Sequence, residues 1–522
     1  MSPLPYIFCL PLLAALLIVA IPRNYKFVIR GISLLATFGS LVTAITMFCQ
    51  FNGAPIMEGG FRFVQKISWV ESLGINYYVG VDGINLGLIL MGAAVAFAAV
   101  AVSNRIQTSE KEFYILLMVM IGGILGAFAS LDLFCFYFFH ELALVPTFIM
   151  IGVWGRGENK NFATFQITLY LSIGALLVLI GLIALWLSLP EGQRTFDIVA
   201  LTEYFKDPAH RMGSGAQHLI FPLLLFGFGI LVSLWPFHSW APLGYGSAPT
   251  ATAMLHAGVL KKFGLYGLIR IALPFMPDEV KSWMHILAYL CLGNILFCGL
   301  VAIRQRDLNL LIGNSSVAHM GFAFLGIASV SLIGITGTIM IMVAHGFLAA
   351  LTFALSGYLY EQTGTLDMEK MGGLLRRLPF IGTVMIMAML AGCGLPGFAN
   401  FPGEAMVLFG SWNQFSLITV LAVWGALVIG GVYMLRAIRT IWHGDKAQPE
   451  YADAAGLWRK FPYALLLAGL LVFGCFPRLL TDPIKSSAEP LVRMAAGEGA
   501  KAVLIAPSDD VTTIRAATHL SK

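Results

Sequence analysis

Residues 231–270 read LVSLWPFHSWAPLGYGSAPTATAMLHAGVLKKFGLYGLIR. The stretch opens as an apolar span, breaks at Pro236, crosses an uncharged loop and enters a second apolar segment carrying His256, Lys261 and Lys262. Proline lacks the amide donor and clashes with the preceding turn, so it leaves helix carbonyls without partners. In a bilayer such carbonyls persist only where protein or a water-filled cavity satisfies them. A broken helix beside a helix with buried bases therefore reads as part of an ion path.

The rest of the chain sets that stretch in a membrane. Of 522 residues, 58% are hydrophobic and 11% charged, and mean hydropathy is +0.83. A spanning helix needs about 20 mainly apolar residues, and such stretches recur from end to end. The composition excludes an ordinary soluble domain and predicts an all-α polytopic membrane protein. The formal charge of +5 is then read loop by loop rather than as a nucleic-acid footprint. Cys9, Cys49, Cys135, Cys291, Cys298, Cys393 and Cys475 stand apart with no CxxC, which argues against iron–sulfur, zinc or disulfide frameworks. No metal site is expected. The first apolar segment lacks a basic leader and a small-residue cleavage site, and reads as a retained span.

A window of about 19 residues places about 14 spans. They are 4–21, 28–49, 82–103, 113–130, 132–153, 163–188, 218–237, 249–272, 282–303, 308–330, 333–360, 379–395 resuming at 402–413, 416–441 and 461–479. Between the second and third lies a polar loop. TFDIVALTEYF (195–205) reads as an interfacial amphipathic piece. The polar tail from about 484 reads as a surface helix or an unstructured extension. Lysines and arginines gather on alternate loops, at Arg23, Lys26, Arg105, Lys111, Arg156, Lys160, Arg304, Arg306, Lys370, Arg376, Arg377, Arg436, Arg439, Lys446, Arg459 and Lys460. The other side holds mainly Arg62, Lys66, Arg194, Lys206, Arg211 and Lys281. The positive-inside rule puts the first set in the cytoplasm and both termini outside. With no transit peptide visible, a bacterial plasma membrane is the expected location.

An ionisable group at the bilayer centre costs at least about 2.5 kcal/mol, so each needs a reason. Glu141 lies in FFHELALVP, Lys262 in AGVLKKFGLYG, His319 in SSVAHMGF, His345 in MVAHGFLAA and Glu404 in NFPGEAMVLFG, just past the GLPG break at Pro396. A lone buried histidine is usually structural, but five such groups on five helices read as a proton relay. Two interrupted helices, at Pro236 and Pro396, point to paired repeats around a mid-membrane site. Lys261 and Asp132 sit nearer plausible loop ends and read as structural. His140 adjoins Glu141 but points about 100° away around the helix.

YYVGVDGIN (77–85), FFHELALVPTFIMIGVWG (138–155), WPFHSWAP (235–242), APTATAMLHAGVLKKFGLYGLIR (248–270), SSVAHMGF (315–322), MVAHGFLAALTFALSGYLYE (342–361) and GLPGFANFPGEAMVLFGSW (394–412) together resemble subunit M, the chain-4 type antiporter-like subunit of the proton-pumping NADH:quinone oxidoreductase, respiratory complex I. The resemblance implies two inverted five-helix repeats with the seventh and twelfth spans broken. Residues 1–112 would form an N-terminal unit, 113–272 the first repeat, 282–441 the second, and 442–522 the last helix and tail. It assigns Glu141 as the carboxylate of the first half-channel, Lys262 as the central lysine, His319 and His345 as relay residues and Glu404 as the terminal carboxylate. No cofactor is expected in this chain. NADH, FMN, iron–sulfur clusters and quinone would belong to partner subunits, with L-type and N-type antiporter-like neighbours in the membrane arm.

One departure stands out. The family's seventh span carries a lysine five residues before the WPFHSW proline, and here that position is Leu231. The acidic residues usual in the following loop are replaced by LGYGSAP (243–249). Glu141 thereby loses a partner and faces an uncompensated desolvation cost. His256 is a candidate substitute base, with His238, Pro236 and Pro396 as accessory positions. Three readings follow: a proton-translocating complex I subunit, an antiporter or membrane-bound hydrogenase subunit of the same fold, or a non-conducting structural paralogue.

Overall fold

The structure, a computed structural model, describes residues 2–103, 106, 108–445 and 450–497. The helices in chain order begin with α1 Leu4–Ala20, α2 Lys26–Gln50, α3 Gly83–Val102, α4 Glu110–Ala129, α5 Leu133–Trp154 and α6 Lys160–Leu187. A short α7, Ile198–Lys206, precedes α8 Ser214–Val232, α9 Trp240–Ser247 and a continuous helical run at 250–275, termed α10. The remainder are α11 Pro277–Arg304, α12 Leu308–Ala328, α13 Leu332–Thr363, α14 Pro379–Gly392, α15 Asn400–Trp412, α16 Ser416–Trp442, α17 Gly456–Cys475 and α18 Arg478–Ala496. Among the described residues, eleven helices are long and apolar enough to cross a membrane. This is a polytopic membrane protein. Arg105 and Lys446, counted above for orientation, lie outside the described residues.

Burial orders the helices. The most apolar stretch of α13 is wholly enclosed, and those of α12 and α3 nearly so. By contrast α2, α6 and α17 show rows of exposed leucine, isoleucine, valine and phenylalanine, which suits lipid or another subunit rather than water. Tight crossings depend on missing side chains. A Cβ on Gly264 of α10 would lie 2.4 Å from the Phe228 carbonyl of α8. Polar groups inside are held locally, as for Asn85, whose amide donates to the carbonyls of Gly80 and Phe128.

The same order of elements occurs twice. Asp132 caps α5 and Asp307 caps α12, each accepting backbone amides. Asp197 and Asp367 cap the short helices that follow α6 and α13. The caps then meet in pairs through the backbone. Leu133 donates to Phe196 and Ile198 to Leu131; equally, Leu308 donates to Leu366 and Met368 to Arg306. After each bridge comes a broken helix, α8/α9 or α14/α15. Then follows a helix with a π-turn, at His256–Leu260 in α10 and Gly425–Gly430 in α16.

Some expectations need correction. The loop after α2 contains an antiparallel hairpin, β1 Arg62–Val70 and β2 Ile75–Val81. Its strands, nine and seven residues long, are too short for a span-length window to register. The seventh span ends at Val232 rather than at 237, and WAPLGYGS, expected as loop, coils into α9. TFDIVALTEYF does form a helix, α7, whose Ile198, Val199 and Leu201 are buried. The start of the tail is the amphipathic helix α18, lodged against α3 where Gly83 donates to Ser487 Oγ. Residues from 498 lie outside the described set.

Candidate functional site

Each helix break exposes backbone that must be satisfied away from water. At the first, the Asn294 side chain of α11 reaches into the gap. Its Oδ1 accepts from the Trp235 amide at 2.8 Å, and its Nδ2 donates to the Ser233 carbonyl at 2.9 Å. Trp240 Nε1 donates back to the Ile230 carbonyl at 3.1 Å. At the second break the freed carbonyl of Gly392 faces His319 Nε2 at 3.1 Å. The break therefore supplies a polar contact to a residue of the candidate relay. Ala399, beyond Pro396, donates to the Leu470 carbonyl of α17 at 2.9 Å.

The bases come together at the centre. The π-turn in α10 shifts hydrogen bonding by one residue, a distortion common at functional positions, and frees carbonyls on that turn. Lys262 Nζ donates to one of them, Ala257 O, at 2.6 Å, and lies 2.8 Å from His345 Nδ1. An ammonium donating to a neutral imidazole, or an imidazole donating to a neutral amine, fits that contact equally. The His345 ring centroid lies 5.5 Å from that of His319. His319 Nδ1 faces the Ser315 carbonyl at 2.7 Å, so each ring nitrogen has an acceptor for an arriving proton. His319 Nε2 stands 3.8 Å from Glu404 Oε1. Two cavities, each about the size of one water, flank His319. One is lined by Glu404, Tyr433 and Cys393, the other by His345, Ser315, Ser316 and Thr352. Lys262, His345, His319 and Glu404 thus form one row across α10, α13, α12 and α15.

Gly394 sets the end of that row. It adopts φ +68°, and a Cβ there would lie 2.6 Å from Glu404 Oε2. A left-handed conformation costs an L-residue about 1–2 kcal/mol. Gly394→Ala is expected to leave the chain folded but push the carboxylate off His319. The check is the Glu404 carboxyl infrared band, assigned with Glu404→Gln, which shifts from its native position; an unchanged band contradicts the placement.

The first half is built differently from the expectation. Glu141 turns outward, with its side chain 32% exposed between the exposed Phe138 and Val145, while His140 is the buried neighbour. The 100° offset on the helix holds, but the histidine is the one that faces the interior. Leu231 packs near Gly174 of α6. Lys261 is not at a loop end: it is buried and donates to Ser316 Oγ at 2.8 Å. Asp132, read from sequence as structural, is the N-cap of α5. His256 is buried between Trp240 and Tyr245, at ring distances of 5.5 and 5.3 Å. His238 stays in the break, edge-on to Phe297, and no hydrogen bond joins it to the row among the described residues. Sequence reasoning set His140 and Lys261 aside and passed over Asn294 and the Ser315–Ser316 pair. The membrane-cost argument that selected Glu404 would have found Asn294 too, had uncharged amides been included.

Residues 130–430 match the family described as NADH:quinone oxidoreductase/Mrp antiporter, transmembrane. The chain is 32% identical to NAD(P)H-quinone oxidoreductase chain 4 1 of Picosynechococcus sp., over 90% of this chain and 88% of that one. It is 30% identical to NADH-quinone oxidoreductase subunit M of Rickettsia felis, over 90% and 92%. A chain of respiratory complex I from Thermus thermophilus superposes with a TM-score of 0.84 at 26% identity, covering 95% of this chain and 100% of that one. The chain belongs to the NADH:quinone oxidoreductase/Mrp antiporter family of membrane subunits, and within it to the subunit M, chain-4 type.

Proposed function

We propose that this chain translocates protons across a bacterial inner membrane as a membrane-arm subunit of an NADH:quinone oxidoreductase. NADH oxidation and quinone reduction take place in partner chains. The observation that carries the reading is the row Lys262–His345–His319–Glu404, with separations of 2.8 Å, 5.5 Å between ring centroids and 3.8 Å along it. A buried row of this kind has no role in holding helices together that apolar side chains would not fill at lower cost. Coupling then travels as charge displacement along the row into neighbouring L-type and N-type subunits. The twofold order of capped, broken and π-turn helices supports two five-helix repeats, at 113–272 and 282–441. Because five spans is an odd number, the second is inverted relative to the first. Both termini then lie outside.

A second reading, a non-conducting spacer, rests on Leu231 alone. NADH-driven acidification of inverted membrane vesicles separates the two, comparing native protein with Glu404→Gln at matched assembly and oxidation rate. Lower acidification per NADH is expected in the variant. Equal ratios make the chain a spacer, and no NADH-driven acidification even in native vesicles makes the partner assignment wrong.

A further inference from the structure

We infer that the cleft where the ends of α2 and α17 meet the start of α18 holds an anionic phospholipid, its phosphate between Arg62 and Arg478 and its acyl chains along α2 and α17. The inference stands apart from proton conduction and needs only that the chain lies in a membrane. Three observations carry it.

The first is the cleft itself, about 890 Å³ in volume, within the range of about 300–1,000 Å³ usual for ligand cavities. Phe48, Phe51, Leu86, Phe476 and Leu479 give it apolar walls, and Arg62, Arg478 and Asp482 give it charge. Two cations against one carboxylate leave a single positive charge, which matches one phosphodiester.

The second is where the cleft opens. On α2 the exposed residues Leu35, Phe38, Val42, Ile45 and Cys49 recur every three or four positions, the spacing of neighbours on one helix face. On α17 the exposed Phe461, Ala464, Ala468, Val472 and Cys475 do the same. Each stripe ends at a cysteine that lines the cleft. The two helices touch there, with the rings of Phe48 and Phe473 6.0 Å apart. Apolar stripes on spanning helices suit acyl chains, so the cleft sits at the head of two lipid-facing tracks.

The third is the state of the arginines. Arg62 Nη1 donates to the carbonyls of Phe51 and Ala54, and its guanidinium lies 4.6 Å from the centre of the Phe51 ring. That fixes the side chain while leaving Nε and Nη2 without a protein partner among the described residues. Arg478, on the facing wall, has no ion pair or hydrogen bond among the described residues. Guanidinium forks take phosphate oxygens two at a time. Water would hydrate both arginines but not the phenylalanines and leucines beside them, whereas a phospholipid satisfies both.

The cysteines supply the test. The detergent-solubilised complex is freed of lipid and treated with N-ethylmaleimide, and alkylation of Cys49 and Cys475 is followed by peptide mass spectrometry. The probes are micellar dioleoylphosphatidylglycerol, dioleoylglycerol and inorganic phosphate. Phosphatidylglycerol is expected to slow alkylation of both thiols severalfold, and the other two to leave it unchanged. Arg62→Gln and Arg478→Gln are each expected to raise the lipid concentration for half-protection about fivefold, the equivalent of about 1 kcal/mol per arginine near a membrane surface. Arg478 is exposed, so its variant gives the reading if Arg62→Gln fails to assemble. Equal protection by dioleoylglycerol overturns the inference in favour of an unspecific apolar surface, and protection by inorganic phosphate in favour of an anion site without a tail. Thiols already shielded after delipidation mean that a neighbouring chain fills the cleft. Alkylation that phosphatidylglycerol does not slow, or protection undiminished in the arginine variants, also overturns it. None of these outcomes bears on the proposed proton translocation.

Discussion

Under the proposed function, Lys262→Met is expected to stop proton translocation through this chain while the complex still assembles. Methionine matches the length and apolar stem of lysine, so the packing of α10 against α13 is kept. What it removes is the group that touches both the π-turn, through Ala257 O, and the second half of the row, through His345 Nδ1. Lys261 cannot stand in: its amine is committed to Ser316 Oγ. A proton stranded on either side of that gap forfeits a hydrogen bond to a charged group, about 1.5–3 kcal/mol. At about 1.4 kcal/mol per decade, transfer slows at least about tenfold. Lys262→Arg separates charge from proton carriage, because a guanidinium keeps the positive charge but does not give up its proton. Loss in both variants means that Lys262 carries the proton. Loss in Lys262→Met alone means that only its charge is needed, and native acidification per NADH in both sinks the central role of the row.

The fold was legible where a single physical constraint dominates. Span-length apolar runs have one reading in a membrane, and Pro236 and Pro396 have few others, so the order of helices and both breaks could be placed from sequence. Glu404, Lys262, His319 and His345 were legible for the same reason, since each is expensive where it stands. What sequence could not supply is rotation. His140 and Glu141 are neighbours, and hydropathy alone does not say which of them faces the interior. The phenylalanines at 136 and 263 settle it by stacking, a contact 127 residues apart in the chain. Lys261 was read as structural near a loop end or polar seam; it is buried, and its amine holds Ser316. The hairpin β1–β2 was missed because its strands are short and neither alternates between apolar and polar residues.

The second large effect lies outside the row. Asp82→Asn is expected to deplete the assembled complex severely. Asp82 caps α3, its Oδ1 accepting from the Ile84 and Asn85 amides, and the same oxygen accepts from Arg270 at 2.8 Å. Both side chains of the pair are almost fully buried. The Arg270 guanidinium lies over the rings of Phe61 and Tyr266, at 5.1 and 5.3 Å, and its Nε has no partner. Asparagine caps helices about as well as aspartate, so the cap survives and only the charge is lost. Arg270 is then a buried cation that has lost the carboxylate it pairs with. Breaking a buried pair from one side costs about 3–5 kcal/mol, against a typical total stability of about 5–15 kcal/mol. Removing both charges, as Asp82→Asn with Arg270→Met, leaves no stranded ion and is expected to recover most of the assembled complex. Chain content of the solubilised complex, before and after mild heating, reads both variants. Native content in Asp82→Asn would show that Arg270 finds another counter-charge, and a double variant no better than the single would show that the pair orients the α3 and α10 contact rather than merely neutralising itself.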